Sequence, residues 1–489
     1  MIIVQTIRLV FMLKLFNTYS LKEEEFVPIN GNHVNMYVCG PTVYDNPHLG
    51  HARCYITWDV LYRYLKFLGY DVKYCRNVTD VDDKILNKSV KENCTPDEIA
   101  KKYYDIFSES MKKLNNLKPD VEPFATKTLG DMIKMVKTLI EKGYAYEANG
   151  DVYFRVKKFP KYGYLSKQPI DDLESGARVE ASDIKEDPLD FELWKKDEKF
   201  GYKSPWGIGR PGWHIECSAM SKRHLADEID IHAGGADLIF PHHENEIAQS
   251  ECANGCRFVK YWLHNGFVTI NKEKMSKSLG NFITIDGLLE KYDANTIRFF
   301  ILTNNYRMPV EFNDEALDAA QAGAKRLKNA ASNVLVWVGK NAINENVEAD
   351  EIEEFKQAMN EDLNTSKALA VLFETASKAN KAKDEGNKEE AAKYASVLIK
   401  LSRVLGFDFE KTQLDENQLK EKLSEIIDEF EFIKDKNAPA KEIMDSIIKV
   451  RNEARAAKDW AVADSIRNSL DKINIVLKDS KEGTVFELK

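Results

Sequence analysis

The sequence predicts an α/β fold: a doubly wound parallel sheet split by an insertion, then a helical bundle and a small C-terminal α+β domain. Three observations predict it. Between His33 and Cys75 a strand, a helix and a second strand follow one another, the pattern of a right-handed parallel βαβ unit. Strands and helices alternate again after Trp206, beyond a stretch of different texture. From Asp314 to Gly406 the chain is almost purely helical in pattern and rich in Ala, Lys and Glu.

The chain has 489 residues, room for about three domains of ordinary size. With 43% hydrophobic and 30% charged residues it has a globular profile, which excludes a mainly disordered or collagen-like chain. Its 70 basic and 79 acidic residues leave a formal charge of −9, so it is no coat for nucleic acid and would meet RNA only through local basic faces. Seven cysteines without regular spacing suggest free thiols in a reducing cytoplasm. No apolar run approaches the ~20 residues that span a bilayer, so no membrane partner is expected. The first sixteen residues are apolar but broken by Gln5, Arg8 and Lys14. Met12 could equally begin the domain, which makes residues 1–11 an extension.

Residues 34–39 read as a strand and 40–47 as a Gly/Pro-punctuated loop. Residues 50–68 carry Tyr55, Trp58, Leu61, Tyr62 and Leu65 at helical spacing, ended by Gly69. Residues 71–75 are a second strand. These belong to the first half of a Rossmann-type domain, 12–119. An insertion at 120–206 holds a helix (128–142) and strands near 151–156 and 191–194. The second half, 207–313, offers strands at 229–232, 260–264 and 266–268 and a helix from about His243. A helical bundle at 314–410 follows, with Val334 to Val338 in its core. Residues 411–436 read as a charged mobile helix or linker inside a C-terminal region, 411–489, that ends in a hairpin near 475–479 and 483–486.

Three constellations carry chemistry. His48, Gly50 and His51 lie where the first strand feeds the first helix, the ligand edge of a doubly wound sheet. Imidazoles at a helix N-terminus suit phosphate, and Gly50 admits a flat base or ribose; alone, the motif is short and reads first as a helix cap with incidental histidines. Lys274 and Lys277, with Ser276 and Ser278, suit a polyphosphate, or a solvated basic turn. Together, in this order on an α/β frame, the two motifs resemble the signature of class I aminoacyl-tRNA synthetases. The third constellation is Cys39, Cys217, His242 and Glu246, the last two on one helical face. Two thiolates, an imidazole and a carboxylate are ordinary zinc ligands, and soft sulfur favours zinc where a serine oxygen does not.

The resemblance narrows to the cysteinyl-tRNA synthetase family. It rests on Cys39-Gly40-Pro41-Thr42-Val43-Tyr44-Asp45, on 76–84 (RNVTDVDDK), on 210–220 (RPGWHIECSAM) and on 237–246 (DLIFPHHENE). It implies Cys39, Cys217, His242 and Glu246 as zinc ligands and Gly40, Thr79 and Trp213 as contacts of the substrate cysteine. It implies His48 and His51 at ATP, with Lys277 steadying phosphate. Where the family usually has Gly, this chain has Ala233, which leaves open how closely adenosine approaches that loop. Residues 359–373 resemble the family's bundle that meets the tRNA stem. Arg451, Arg455 and Lys458 form a basic stripe beside Trp460, fit to grip phosphate and stack a base, or to be a solvated helix over a core Trp. Cys252 and Cys256 lack a second pair for a metal, Cys54 and Cys75 read as core, and His243 and Glu244 as supports of the ligand set.

The activity so implied joins L-cysteine to tRNA(Cys) through a cysteinyl-adenylate, with one Zn2+ per chain, Mg2+ accompanying ATP, and a monomeric enzyme. An alternative is an ATP-dependent cysteine ligase acting on a small amino-sugar acceptor, which would lack a tRNA-binding C-terminus. A zinc hydrolase would not need the lysine loop or Cys217, and a non-catalytic paralogue should have lost motif residues. The insertion spans fewer than 90 residues, so no editing domain is expected.

Overall fold

The computed structural model describes residues 12–168, 184–270, 273–274, 282–409, 416–480 and 483–488. The chain divides into two compact units after Phe407.

The first unit is built on a four-stranded parallel sheet: β1 (His33–Val38), β2 (Asp71–Arg76), β3 (Ile229–Gly235) and β4 (Val259–Asn265), in the order β4-β3-β1-β2. Met36 of β1 faces Ile231 on one side and Tyr74 on the other. Strands covered on both faces need near-continuous apolar runs; Val34, Met36, Tyr37, Val38, Ile229, Ile231 and Leu263 are all buried. Helix α1 (Leu49–Phe67) joins β1 to β2 and buries Tyr55, Trp58, Leu61, Tyr62 and Leu65. It stops where Gly69 takes φ +92°, a conformation that costs glycine little.

The insertion holds a helix, Leu129–Glu141, and a five-stranded antiparallel sheet. That sheet does not end at Trp206. Its last strand, Gly207–Pro211, pairs with Phe191–Lys196 and with Tyr202–Ser204, so a boundary after Trp206 cuts through the sheet. An N-terminal hairpin, Lys14–Asn17 with Lys22–Glu25, was not anticipated, because four-residue strands carry too little alternation to read.

In the second half α2 (Trp213–His224) and α3 (Glu244–Asn254) flank β3. The strand expected at 266–268 begins only at Val268: β5 (Val268–Ile270) pairs with β6 (Val310–Phe312) and with Glu273–Lys274. Gly266 is spent on the bend, its N–H bonded to Tyr306 O. Helix α4 (Ala294–Leu302) leads into a bundle of Asp314–Val338, Asp350–Asn360, Thr365–Asp384 and Lys388–Val404. Asn313, Asn364 and Asn387 cap three of these with side-chain hydrogen bonds. A buried ion pair joins bundle to sheet domain. Arg298 Nη2 lies 2.5 Å from Asp59 Oδ2, and its other nitrogens bond Leu114 O, Asn116 Oδ1 and Leu405 O.

In the second unit, the stretch 411–436 that reads as a charged mobile helix or linker holds a helix, and that helix is packed into a core. Helix Glu416–Ser424 and the turn after it bury Leu419, Leu423, Ile426 and Phe430 against Ile447, Leu470 and Phe486. Its charge density hid an apolar face. Helices Ala440–Ala456 and Trp460–Lys472 and the hairpin Ile475–Ser480 with Gly483–Leu488 complete the unit. Among the described residues no helix is long and apolar enough to cross a membrane. Residues 1–11 lie outside the described residues.

Candidate active site and metal centre

Strands β1 and β3 are neighbours whose connections leave in opposite directions, so a crevice opens beyond their carboxyl ends. Gly40, His48, Gly50, His51, Trp213, Gly235 and Val268 line a cleft of about 340 Å³ there. His48 stands at the N-cap of α1; its N–H donates to His51 Nδ1 (3.1 Å), and the two rings stack at 3.8 Å. Leu49 N donates to Ile283 O and Ile285 N to Pro47 O, which ties this corner to the segment after the lysine loop. Ala233 is fully buried within β3, while Gly235 lines the cleft.

Cys39, leaving β1, also reaches a second cluster. The donor atoms of Cys39, Cys217, His242 and Glu246, all buried, lie within 4.8 Å of one another. Cys39 Sγ is 3.7 Å from Cys217 Sγ and 3.6 Å from Glu246 Oε1; Cys217 Sγ is 3.6 Å from His242 Nε2. A tetrahedral zinc with ordinary bond lengths has edges of about 3.8 Å between two sulfurs and about 3.6 Å between sulfur and nitrogen or oxygen. The four residues therefore fit that ion. Burial pushes the Cys39 thiol well up and Cys217 to about 11, so a metal binding here must release both protons. Burial lowers His242 well below the ordinary imidazole range, which leaves it neutral and able to ligate.

A second donor set, Cys39, His232, His243 and Glu246, overlaps the first. In it His232 Nε2 lies 2.8 Å from Glu246 Oε2, a hydrogen bond and not a coordination edge. His232 thus holds the far oxygen of Glu246, and His214 Nδ1, 2.9 Å from His242 Nδ1, turns the other nitrogen of His242 toward Cys217. His243 approaches Cys39 Sγ at 3.2 Å and is held by His264 at 2.8 Å. Such partners orient ligands and fix their ring nitrogens.

Trp213, the first residue of α2, stacks on His242 at 4.0 Å and forms a wall between cluster and cleft. Gly40 N donates to Asn77 Oδ1 (2.7 Å), close enough that no side chain fits at position 40. Thr79 is buried, 1% exposed; its hydroxyl donates to Glu216 Oε2 at 2.5 Å and accepts from Asn77 Nδ2 at 3.3 Å.

A family model described as the tRNA synthetases class I (C) catalytic domain matches residues 25–322, and one described as the DALR domain matches 354–410. The cysteine–tRNA ligase of Mannheimia succiniciproducens is 47% identical over 480 residues, 97% of this chain and 99% of that one. The chain belongs to the cysteine–tRNA ligase family. The Glaesserella parasuis member is likewise 47% identical over 481 residues, 97% of this chain and 99% of its own. The fold extends further: a Mycobacterium tuberculosis methionyl-tRNA synthetase, solved with methionyl-adenylate, superposes with a TM-score of 0.56 at 16% identity, over 81% of this chain and 93% of that one.

For a member of the cysteine–tRNA ligase family, the remaining expected residues fall unevenly. Lys274 ends the short strand Glu273–Lys274, while Lys277 lies outside the described residues. The basic stripe is not one surface. Arg451 is turned inward and grips Asp479 with both Nη atoms at 2.8 and 3.0 Å, and Arg455 pairs with the same carboxylate. Lys458 lies past the end of its helix with φ +59°, so it leaves the helical face. Lys458 and Trp460 are exposed, Arg455 half-buried. Sequence reasoning missed Asn77, His232 and His264, and also Lys84 and Arg53, which line the cleft. Asn77 and Lys84 stood inside a matched segment. His232 and His264 stood near the ends of two parallel strands, where side chains meet a ligand crevice.

Proposed function

We propose that this enzyme activates L-cysteine with ATP to cysteinyl-adenylate and passes the cysteinyl group to the 3′ end of tRNA(Cys), with one zinc held by Cys39, Cys217, His242 and Glu246. The observation that carries the reading is a buried set of four zinc-type donors sharing Cys39 with a cleft that His48 and His51 also line.

Bound by Cys39, Cys217, His242 and Glu246, zinc would supply a borderline-soft Lewis acid for the substrate thiol, which a serine hydroxyl matches poorly. The chain does the rest. Gly40 and Trp213 bound the amino acid, and Thr79, through Glu216, stiffens the floor. The substrate carboxylate then attacks the α-phosphorus of ATP in line and pyrophosphate leaves. His48 and His51 donate hydrogen bonds where phosphate charge builds, Gly50 lets the nucleoside approach the backbone, and Lys274 and Lys277 neutralise the leaving pyrophosphate. A ribose hydroxyl of the terminal adenosine next attacks the acyl carbon and AMP departs. Mg2+ accompanies ATP. In the C-terminal unit Arg455, Lys458 and Trp460 meet tRNA, and Arg451 braces them through Asp479. The seven free cysteines support a cytoplasmic site of action, and we take the enzyme to act as a monomer.

The test is acceptor choice. Supplied with cysteine, ATP and either tRNA(Cys) or a small amino sugar, the enzyme should charge only the tRNA. Ligation to the amino sugar in preference to tRNA would replace this reading.

A further inference from the structure

Arg53 lies two residues beyond His51 on α1 and is 1% exposed. Among the described residues no carboxylate pairs with it. Its guanidinium instead donates to four main-chain carbonyls: Nη1 to Ile301 O at 2.8 Å, and Nη2 to Asn305 O at 2.9, Tyr306 O at 3.1 and Met308 O at 3.2 Å. Burial lowers its pKa only to about 10, so it is a cation at neutral pH. Four carbonyl dipoles that converge on one point repel one another unless a cation sits among them. The guanidinium therefore sets where this turn lies.

The turn is the backing of one wall of the cleft. Gly266 N donates to Tyr306 O (2.8 Å), Val310 N donates to Phe267 O (2.9 Å), and β5 pairs with β6. Gly266 packs so tightly that a Cβ there would stand 2.5 Å from the Met308 carbonyl carbon and oxygen. Gly266, Phe267 and Val268 line the cleft together with His48 and His51. One side chain thus links the helix that carries the histidines to the turn that backs the Gly266–Val268 wall.

We propose that Arg53 is a positioning residue that sets the width of the nucleotide cleft, holding the Gly266–Val268 wall at the separation from His48 and His51 that an adenine nucleotide needs. The proposal rests on the reading of this cleft as the ATP site. It separates Arg53 from the cysteine end, where Cys39, Gly40 and Trp213 are held by other contacts.

Cysteine-dependent ATP–pyrophosphate exchange tests it. Arg53→Lys keeps the charge but loses the fork. Its KM for ATP should rise about tenfold or more, since misplacements near 1 Å carry costs up to about 10²-fold. KM for cysteine and bound zinc should not change. In Arg53→Ala, added methylguanidinium should restore part of the ATP affinity. An unmoved KM for ATP, or KM values for ATP and cysteine that rise together, would overturn the proposal. If neither variant folds, Gly266→Ala perturbs the same turn from the other side. A rise in KM for ATP alone then supports the assignment, and an unchanged KM defeats it. Wild-type enzyme without any cysteine-dependent exchange would instead defeat the reading of the cleft, and it would do so before any substitution is compared.

Discussion

Gly40→Ala probes how closely the chain must pass itself beside the metal donors. A Cβ at Gly40 would stand 1.5 Å from the Asn77 carbonyl oxygen, 2.6 Å from its carbon and 3.3 Å from Oδ1. To reach ordinary contact the two backbones must part by about 2 Å. The obstacle is main chain in a buried sheet extension, so no side-chain rotation relieves it. Parting them breaks the 2.7 Å bond from Gly40 N to Asn77 Oδ1 and moves Cys39, the adjoining residue, off its 3.7 Å approach to Cys217. A displacement of about 1 Å in a positioned group costs on the order of 10² in rate, or about 2.7 kcal/mol. The variant should therefore lose at least about 10²-fold in kcat/KM for cysteine. Pyrophosphate exchange at varied cysteine reads this directly, with zinc analysis alongside. Gly130→Ala is the control: a Cβ there meets nothing within 4 Å. In the first turn of its helix the change should stabilise by less than about 1 kcal/mol and leave exchange intact. Wild-type kcat/KM in Gly40→Ala would refute the argument from contact.

Cys217→Ser removes a donor from the tetrahedral set and should lower both zinc content and cysteine affinity while ATP affinity stays; full zinc with normal cysteine affinity would contradict the ligand assignment. Asp59→Asn leaves Arg298 buried without its anion and should cost about 3–5 kcal/mol in denaturant unfolding of the first unit; a loss too small to resolve would mean the carbonyl partners suffice. In the second unit the Arg451 guanidinium holds the Asp479 carboxyl well below the usual carboxylate range. A folded value below the unfolded one gives stability that is complete above about pH 4 and fades as pH falls through the folded value. The thermal-stability gap between wild type and Asp479→Asn should thus be constant at neutral pH and close on acidification; a gap that widens in acid would reverse the sign.

Much of the architecture was legible because it rests on local pattern. The helical spacing of Tyr55, Trp58, Leu61 and Leu65 and the glycine after them located α1 to within a residue. The donor set was legible by resemblance, since Cys39, Cys217, His242 and Glu246 stand in long matched segments. What stayed hidden depends on partners far apart in the chain. Nothing near Arg53 says that it will be claimed by carbonyls some 250 residues on, or that Thr79 will turn to Glu216. Arg451 reads as a surface cation until the hairpin brings Asp479 to it. The strand Gly207–Pro211, with two glycines and a proline, has a composition that argues against a strand; only its neighbours on both sides make it one.

The central claim is that the buried cluster selects cysteine by its sulfur. Serine differs only in that atom, and pocket shape alone would separate near isosteres by ~10². The direct measurement is ATP–pyrophosphate exchange with serine against cysteine, beside a deacylation assay on Ser-tRNA. The account predicts almost no serine-dependent exchange and no hydrolysis of Ser-tRNA. Ready activation of serine followed by its hydrolytic removal would place selectivity in editing and contradict the account.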